Sequence, residues 1–210
     1  DKPGIDIYID GETKGEAVYI PVVVSVSGMT DVVYNDFYVA DGADVSIIAG
    51  CGIHNCGNQD SQHDGVHRFY VGKNSRVRYV EKHYGEGDGK GKRILNPVTE
   101  VYQQADSYVD MEMVQIKGVD STYRKTVAEL KEGAALIVRE RLMTHGDQKA
   151  VSTYDVYLNG RKSSTDVISR SVAKDTSEQI FEASIIGNTE CHGHAECDAI
   201  IMDKAHVVAV

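Results

Sequence analysis

Asn74-Ser75-Arg76-Val77-Arg78-Tyr79-Val80 is one instance of a pattern that the chain repeats: a small or polar turn residue, then a short alternating strand. The pattern appears at Gly42-Ala43-Asp44-Val45-Ser46-Ile47-Ile48 and at Asp106-Ser107-Tyr108-Val109-Asp110-Met111-Glu112-Met113. It returns at Gly133-Ala134-Ala135-Leu136-Ile137-Val138-Arg139 and at Lys162-Ser163-Ser164-Thr165-Asp166-Val167-Ile168-Ser169. The small residue falls at 43, 75, 107, 134 and 163, a spacing of 27 to 32 residues. Shorter strands fit between these marks, such as His67 to Val71, Val151 to Leu158 and Ile180 to Ile186. The N-terminal part alternates in the same way at Ile5 to Ile9, Ala17 to Ile20 and Val32 to Tyr34, all rich in β-branched and aromatic residues. The best helical stretch, Arg124 to Lys131, runs straight into the strand-like Ala134 to Val138. The chain therefore reads as all-β. A loose repeat of this length suits a β-helix, in which coils stack and small residues occupy the corners. A β-sandwich or barrel has strands of the same local pattern, and periodicity alone leaves both open.

Composition bounds the function. The 210 residues carry a net charge of −10. That disfavours a general nucleic-acid binder, whose affinity comes largely from Lys and Arg, and equally an anionic membrane surface. No apolar run approaches the roughly 20 residues needed to span a bilayer. The best, Tyr19 to Val26, has the length of a strand. No secretory signal is visible, and four cysteines do not make a dense disulfide framework. They read as reduced cytosolic thiols, so a cytoplasmic location is expected. Trp is absent and Phe scarce, which leaves Val, Ile, Ala and Tyr to fill the core. The chain starts Asp1-Lys2-Pro3 without Met and stops in the apolar run His206-Val207-Val208-Ala209-Val210, so it is expected to be part of a longer one.

All four cysteines and most histidines fall in two islands. One is Cys191-His192-Gly193-His194-Ala195-Glu196-Cys197-Asp198; the other is Gly50-Cys51-Gly52-Ile53-His54-Asn55-Cys56, followed by His63 and His67. Thiolate and imidazole bind zinc and soft iron or copper sites. The spacing Cys191-x2-His194-x2-Cys197 fits one ion only if the backbone turns. On a strand, alternation puts Cys191, Gly193, Ala195 and Cys197 on one face and His192, His194, Glu196 and Asp198 on the other. Elsewhere plainer readings hold. Cys56 is expected as a small buried residue. His54, His63 and His67 are expected at solvent in a polar loop, Glu81 and Glu86 solvated, and His145 in a turn. His83 could support the glycine-rich segment or do chemistry. Gly85-Glu86-Gly87-Asp88-Gly89-Lys90-Gly91-Lys92 is expected to be a mobile exposed loop and not a phosphate cradle, because no helix follows it.

Several stretches resemble the core domain of the SufB/SufD family, scaffold proteins of the SUF system for iron–sulfur cluster assembly, and most closely its shorter archaeal and bacterial members. They are Ile48-Ala49-Gly50-Cys51, His63-Asp64-Gly65-Val66-His67-Arg68-Phe69 and Tyr79-Val80-Glu81-Lys82-His83-Tyr84-Gly85-Glu86-Gly87. Ser169-Arg170-Ser171-Val172-Ala173 and Gly193-His194-Ala195-Glu196-Cys197-Asp198-Ala199-Ile200-Ile201-Met202-Asp203 complete the set. The resemblance implies a right-handed parallel β-helix, with residues 1–210 as a single core domain that lacks the family's C-terminal helical region. It implies a second SufB/SufD-like subunit, identical or not, a SUF-system ATPase, and sulfur from a cysteine desulfurase pathway. It also implies that Cys51, in a Gly-Cys step, accepts persulfide sulfur, and that Cys197, in the Cys-Asp step, relays sulfur and binds the cluster. The family's His-Glu-Ala-type interface segment would follow the Cys-Asp strand, and the chain ends at Val210 before any such segment.

The expected function is thus a non-catalytic scaffold that holds iron and a transient iron–sulfur cluster at Cys197. His194 and Glu196 would act as ligands or support, and Cys191 and His192 in weaker roles. Thiol–persulfide exchange would link Cys51 to Cys197. A rival is a cupin-like metal-dependent enzyme built from His192-Gly193-His194 and His63-x3-His67, although its His-x-His would sit unusually late in the chain. A third reading is a purely structural, SufD-like subunit that shapes a dimer and binds no cluster.

Overall fold

A computed structural model describes residues 2–210. The strands are β1 (Gly4–Ile9), β2 (Lys14–Val24), β3 (Thr30–Val39), β4 (Asp44–His54), β5 (Ser61–Val71), β6 (Arg76–Glu86), β7 (Arg93–Leu95) and β8 (Val98–Gln103). They continue with β9 (Tyr108–Lys117), β10 (Ser121–Leu130), β11 (Ala135–Thr144), β12 (Lys149–Leu158), β13 (Ser164–Ala173), β14 (Glu178–Gly187), β15 (His192–Ile201) and β16 (His206–Ala209). Among the described residues there is no helix; Arg124 to Lys131 lies mostly in β10.

The strands form two sheets. One runs β1-β3-β5-β7-β10-β12-β14-β16, with β8 pairing β5 and β10; the other runs β15-β13-β11-β9-β6-β4-β2. Each strand pairs in parallel with the one a coil away. The chain therefore winds alternately through the two sheets as a parallel β-helix of about seven turns. Parallel pairing between consecutive coils rules out the sandwich and barrel, whose strands pair antiparallel. In the earlier coils Val66 faces Tyr34 and Val98, a 32-residue rise each way. Later coils shorten, as when Thr126 faces Thr99 and Tyr154, 27 and 28 residues away.

The repeated small residue is the corner. Gly42, Asn74, Asp106, Gly133 and Lys162 have φ of 75°, 55°, 58°, 64° and 58°, each immediately before a marked position. The turn needs one left-handed residue and then a side chain small enough to fit inside the bend. Ala43, Ser75, Ser107, Ala134 and Ser163 are all buried there. The three serines satisfy their hydroxyls on carbonyls three residues back, Ser75 on Gly72 (2.6 Å), Ser107 on Gln104 (2.7 Å) and Ser163 on Gly160 (2.7 Å).

Alternation puts every second side chain inside. β5, for example, buries Ser61, His63, Gly65, His67, Phe69 and Val71. One half of the interior is apolar, with Phe37 stacked on Phe69 (4.6 Å) and Val101, Ala128 and Val156 continuing that row. Outside, Tyr8, Tyr38, Tyr70 and Tyr102 stack one per coil at 4.8, 5.0 and 5.4 Å, so in-register repetition stabilises neighbouring coils on both faces.

The glycine-rich segment is packed, not free. Gly89 N–H donates to the Asn55 carbonyl (3.1 Å) and Gly91 N–H to that of Gly57 (3.1 Å). A Cβ on Gly89 would sit 2.3 Å from the Gly57 oxygen, so glycine is required by the approach of the preceding coil's loop.

Candidate functional site

The other half of the interior is polar. On β6 the period of two places Val77, Tyr79, Glu81 and His83 inside, all buried. Cys51 on β4 lies opposite His83, and Cys51, Glu81 and His83 bring one donor atom each within 4.8 Å of one another. Glu81 is the hub. Its Oε1 accepts from Tyr79 Oη (3.0 Å) and lies 3.5 Å from His83 Nε2; its Oε2 accepts from Arg124 Nη1. Arg124 reaches in from β10, and its Nη2 donates to His83 Nδ1 (3.2 Å). His67 Nδ1 contacts Tyr79 Oη (2.5 Å), and its Nε2 accepts from Asn35 Nδ2 (3.2 Å).

Burial would raise the Glu81 carboxyl, but His83 and Arg124 overcome it and hold the group well below the usual carboxylate range. Burial pulls His67 down to about 4, so it is neutral. Burial, reinforced by Glu81, pushes the Cys51 thiol well up. With 3% exposure, Cys51 is a protonated and covered thiol in this state.

From this hub the polar interior continues toward the C terminus. Arg124 Nε lies 4.0 Å from Glu140 Oε1. Glu140 accepts from Ser152 Oγ, from Tyr154 Oη (3.1 Å) and from Ser169 Oγ (2.8 Å). Ser169 on β13 is in register with Cys197 on β15. A polar row thus runs through buried Glu81, Arg124, Glu140 and Ser169 to the half-buried Cys197. Cys51 and Cys197 lie on inward faces of the same sheet, in adjacent columns. Five strand steps at about 4.8 Å separate them by about 24 Å, with no thiol between, so the two cysteines do not touch.

β15 is an edge strand and splits its residues as alternation requires. Cys191 and Cys197 are partly buried against the core. Burial, then Glu140 and Asp198, push the Cys197 thiol up. His194 and Glu196 face outward and contact each other (3.3 Å), while Arg170 pairs with Glu196 (2.6 Å) and Asp198 (3.2 Å). The hydrogen bonds from His194 and Arg170 lower Glu196. Within one chain, Cys197 and the His194–Glu196 pair lie on opposite faces. His192 is exposed beside them.

Several plain readings of the sequence are corrected. His63 and His67 are buried in β5, not solvent-exposed in a loop, and Glu81 is buried, not solvated. Cys56 is exposed and contacts His54 Nε2 (3.1 Å). Glu86 is exposed as expected, and His145 opens the turn after β11, its carbonyl accepting from Gln148 N–H (3.2 Å). The cupin-like site does not form: His63 and His67 lie inside the third coil, whereas His192 and His194 lie outside the seventh. His63 Nδ1 contacts Asp31 Oδ2 (2.8 Å), and among the described residues its Nε2 has no hydrogen-bond partner. The sequence reading missed Glu81, Arg124, Glu140 and Ser169. The alternating run Val77, Tyr79, Glu81, His83 was the available signal for Glu81, since one inward residue in a strand turns the rest inward too.

Residues 27–209 match a family model described as SUF system FeS cluster assembly, SufBD core domain. A protein of Archaeoglobus fulgidus described as an iron-sulfur cluster assembly SufBD family protein is 23% identical over 179 residues, which are 84% of this chain and 46% of that protein. The chain thus spans about half the length of that relative.

Proposed function

The chain belongs to the SufBD core-domain family of the SUF system, and from that premise we propose that it is a scaffold subunit on which an iron–sulfur cluster is assembled. Residues 1–210 act as one β-helix core domain. Iron, sulfide and the cluster are cargo, and the chain itself performs no turnover. The observation that carries this reading is the buried polar row that leads from the Cys51–Glu81–His83 group to Cys197 on an edge strand.

In this reading the Cys51 thiolate attacks the outer sulfur of a persulfide supplied by a cysteine desulfurase pathway, and the Cys51 persulfide forms as the donor's thiol leaves. The burial of Cys51 means that the thiol is uncovered for that step. The 24 Å gap means that sulfur does not pass by contact between Cys51 and Cys197. An external dithiol reduces the Cys51 persulfide to thiol and hydrosulfide and is itself oxidised to a disulfide; the hydrosulfide follows the polar row. Cys197 ends the relay and binds the cluster. His194 and Glu196 meet iron from the outer face of the same strand, and Cys191 and His192 support it. β15 leaves one ladder edge unpaired, and Ile200, Ile201 and Met202 beside it are exposed. Such an edge accepts a second SufB/SufD-like subunit, which would complete the cluster's ligands. A SUF-system ATPase acts on the assembled pair in the cytoplasm.

The test is reconstitution with iron and sulfide under reducing conditions, followed by absorption spectroscopy. Cys197→Ala is expected to lose the cluster bands while Cys56→Ala keeps them. A normal spectrum in Cys197→Ala removes the central assignment. The burial of Cys51 favours a second reading, a purely structural SufD-like subunit; absence of a cluster in the wild-type protein, alone and with its partner subunit, would select it.

A further inference from the structure

The Cys51–Glu81–His83 group has a feature that sulfur acceptance does not use. Three different metal-binding donors, a thiol, a carboxylate and an imidazole, converge within 4.8 Å in a buried position. Arg124 already places a cation there. Its Nη1 donates to Glu81 Oε2 and its Nη2 to His83 Nδ1, so the guanidinium sits where both lone pairs point. Because His83 Nδ1 accepts from Arg124, the ring proton is on Nε2, facing Glu81 Oε1. That tautomer leaves the Nδ1 lone pair, which now faces Arg124, open to a cation without any proton shift. A second anchor for the arginine is at hand, since Nε is 4.0 Å from Glu140 Oε1.

We propose that Cys51, Glu81 and His83 form a binding site for one thiophilic divalent cation of the zinc or ferrous class, which displaces the Arg124 guanidinium onto Glu140. Cys S⁻, imidazole nitrogen and carboxylate oxygen are the donors such ions take, and three protein ligands leave a position open. Binding forms a metal–sulfur bond, and the Cys51 thiol proton leaves to solvent. Two positive charges replace the one that Arg124 supplied, and the new thiolate offsets the difference. Glu81 therefore keeps a cation in either state, and Arg124 keeps a carboxylate. The tyrosine hydroxyl and second imidazole around Glu81 orient it from behind, as outer-shell groups do at metal sites. The site stands apart from cluster assembly at Cys197, and it holds whether or not Cys51 also accepts sulfur.

Cobalt(II) tests it, because a Co–thiolate bond gives a near-ultraviolet charge-transfer band. A Cys56→Ser/Cys191→Ser/Cys197→Ser variant leaves Cys51 as the one thiol; after prolonged anaerobic incubation it is expected to show the band at one equivalent. The band is expected to vanish when Cys51→Ser is added. Arg124→Met removes the competing cation and is expected to tighten cobalt binding at least tenfold. If the triple variant does not fold, as read by circular dichroism, thermal unfolding supplies the answer. Zinc is then expected to raise the melting temperature of Arg124→Met more than that of the wild type, and not that of Arg124→Met/Cys51→Ser. A folded triple variant without the band, a band that survives Cys51→Ser, or zinc protection independent of Cys51 overturns the proposal. Loss of the cluster in Cys197→Ala with the cobalt band intact would separate this site from the scaffold function.

Discussion

Replacing Arg124 with methionine removes the one permanent cation that faces Glu81 inside the β-helix. Both side chains are almost fully buried, 3% and 1% exposed. A bare buried carboxylate is costly, typically about 3–5 kcal/mol once its partner is removed. Protonation caps that cost. Holding a carboxyl neutral at pH 7 against an ordinary value near 4.3 costs about 3.7 kcal/mol, at about 1.36 kcal/mol per pH unit. Arg124→Met is therefore expected to lose about 4 kcal/mol at pH 7 and, at pH 5, only about 1 kcal/mol from this source. The sign follows from a folded carboxyl pKa raised by the mutation: its stability is present at low pH and is lost as pH rises. Glu81→Gln/Arg124→Met carries no charge to strand, and is expected to recover most of the loss. Urea unfolding followed by circular dichroism at both pH values measures this, the chain having no tryptophan to report. An equal loss at pH 7 and pH 5, or a double variant no more stable than Arg124→Met, would refute the role assigned to the pair.

Wild-type stability is expected to fall on acidification. His67 is pulled from 6.5 to about 4, so the unfolded chain takes up its proton first, and about 3 kcal/mol is lost between pH 6.5 and 4; His67→Gln is expected to flatten that slope, and an unchanged slope would discount His67. Glu81 acts lower, its contribution full above the ordinary carboxylate value and lost progressively as the pH falls toward its depressed folded value. At the corner, Ala134→Leu forces a large side chain into a fully buried bend and is expected to cost about 1–3 kcal/mol, read as a lower urea midpoint; no shift would mean that the bend has room. Among the thiols, Cys56 is exposed and Cys51 buried, so a thiol reagent is expected to modify Cys56 first and Cys51 much more slowly, a pattern that mass spectrometry checks.

The corner residues at 43, 75, 107, 134 and 163 were legible because the bend imposes a steric demand that only small side chains meet, and that demand recurs at a regular spacing. Strand alternation likewise split Cys197 from His194 before any coordinates, since the period of two is a property of the extended backbone. Sandwich versus β-helix was not legible, because the inward and outward pattern of a strand does not record which strand lies beside it. Parallel register decided that. It also set His83 opposite Cys51, 32 residues away, and let Arg124 reach back to Glu81 across 43. No local pattern marks a buried ion pair: Glu81 and His83 look like solvated residues beside Lys82 until the interior to which they turn is known. The sequence by itself therefore determined the repeat, its corners and the alternation that splits Cys197 from His194, all consequences of local backbone geometry. Only the tertiary structure decided which coils stack in which register, and hence that Glu81, Arg124 and Glu140 meet as one buried row between Cys51 and Cys197.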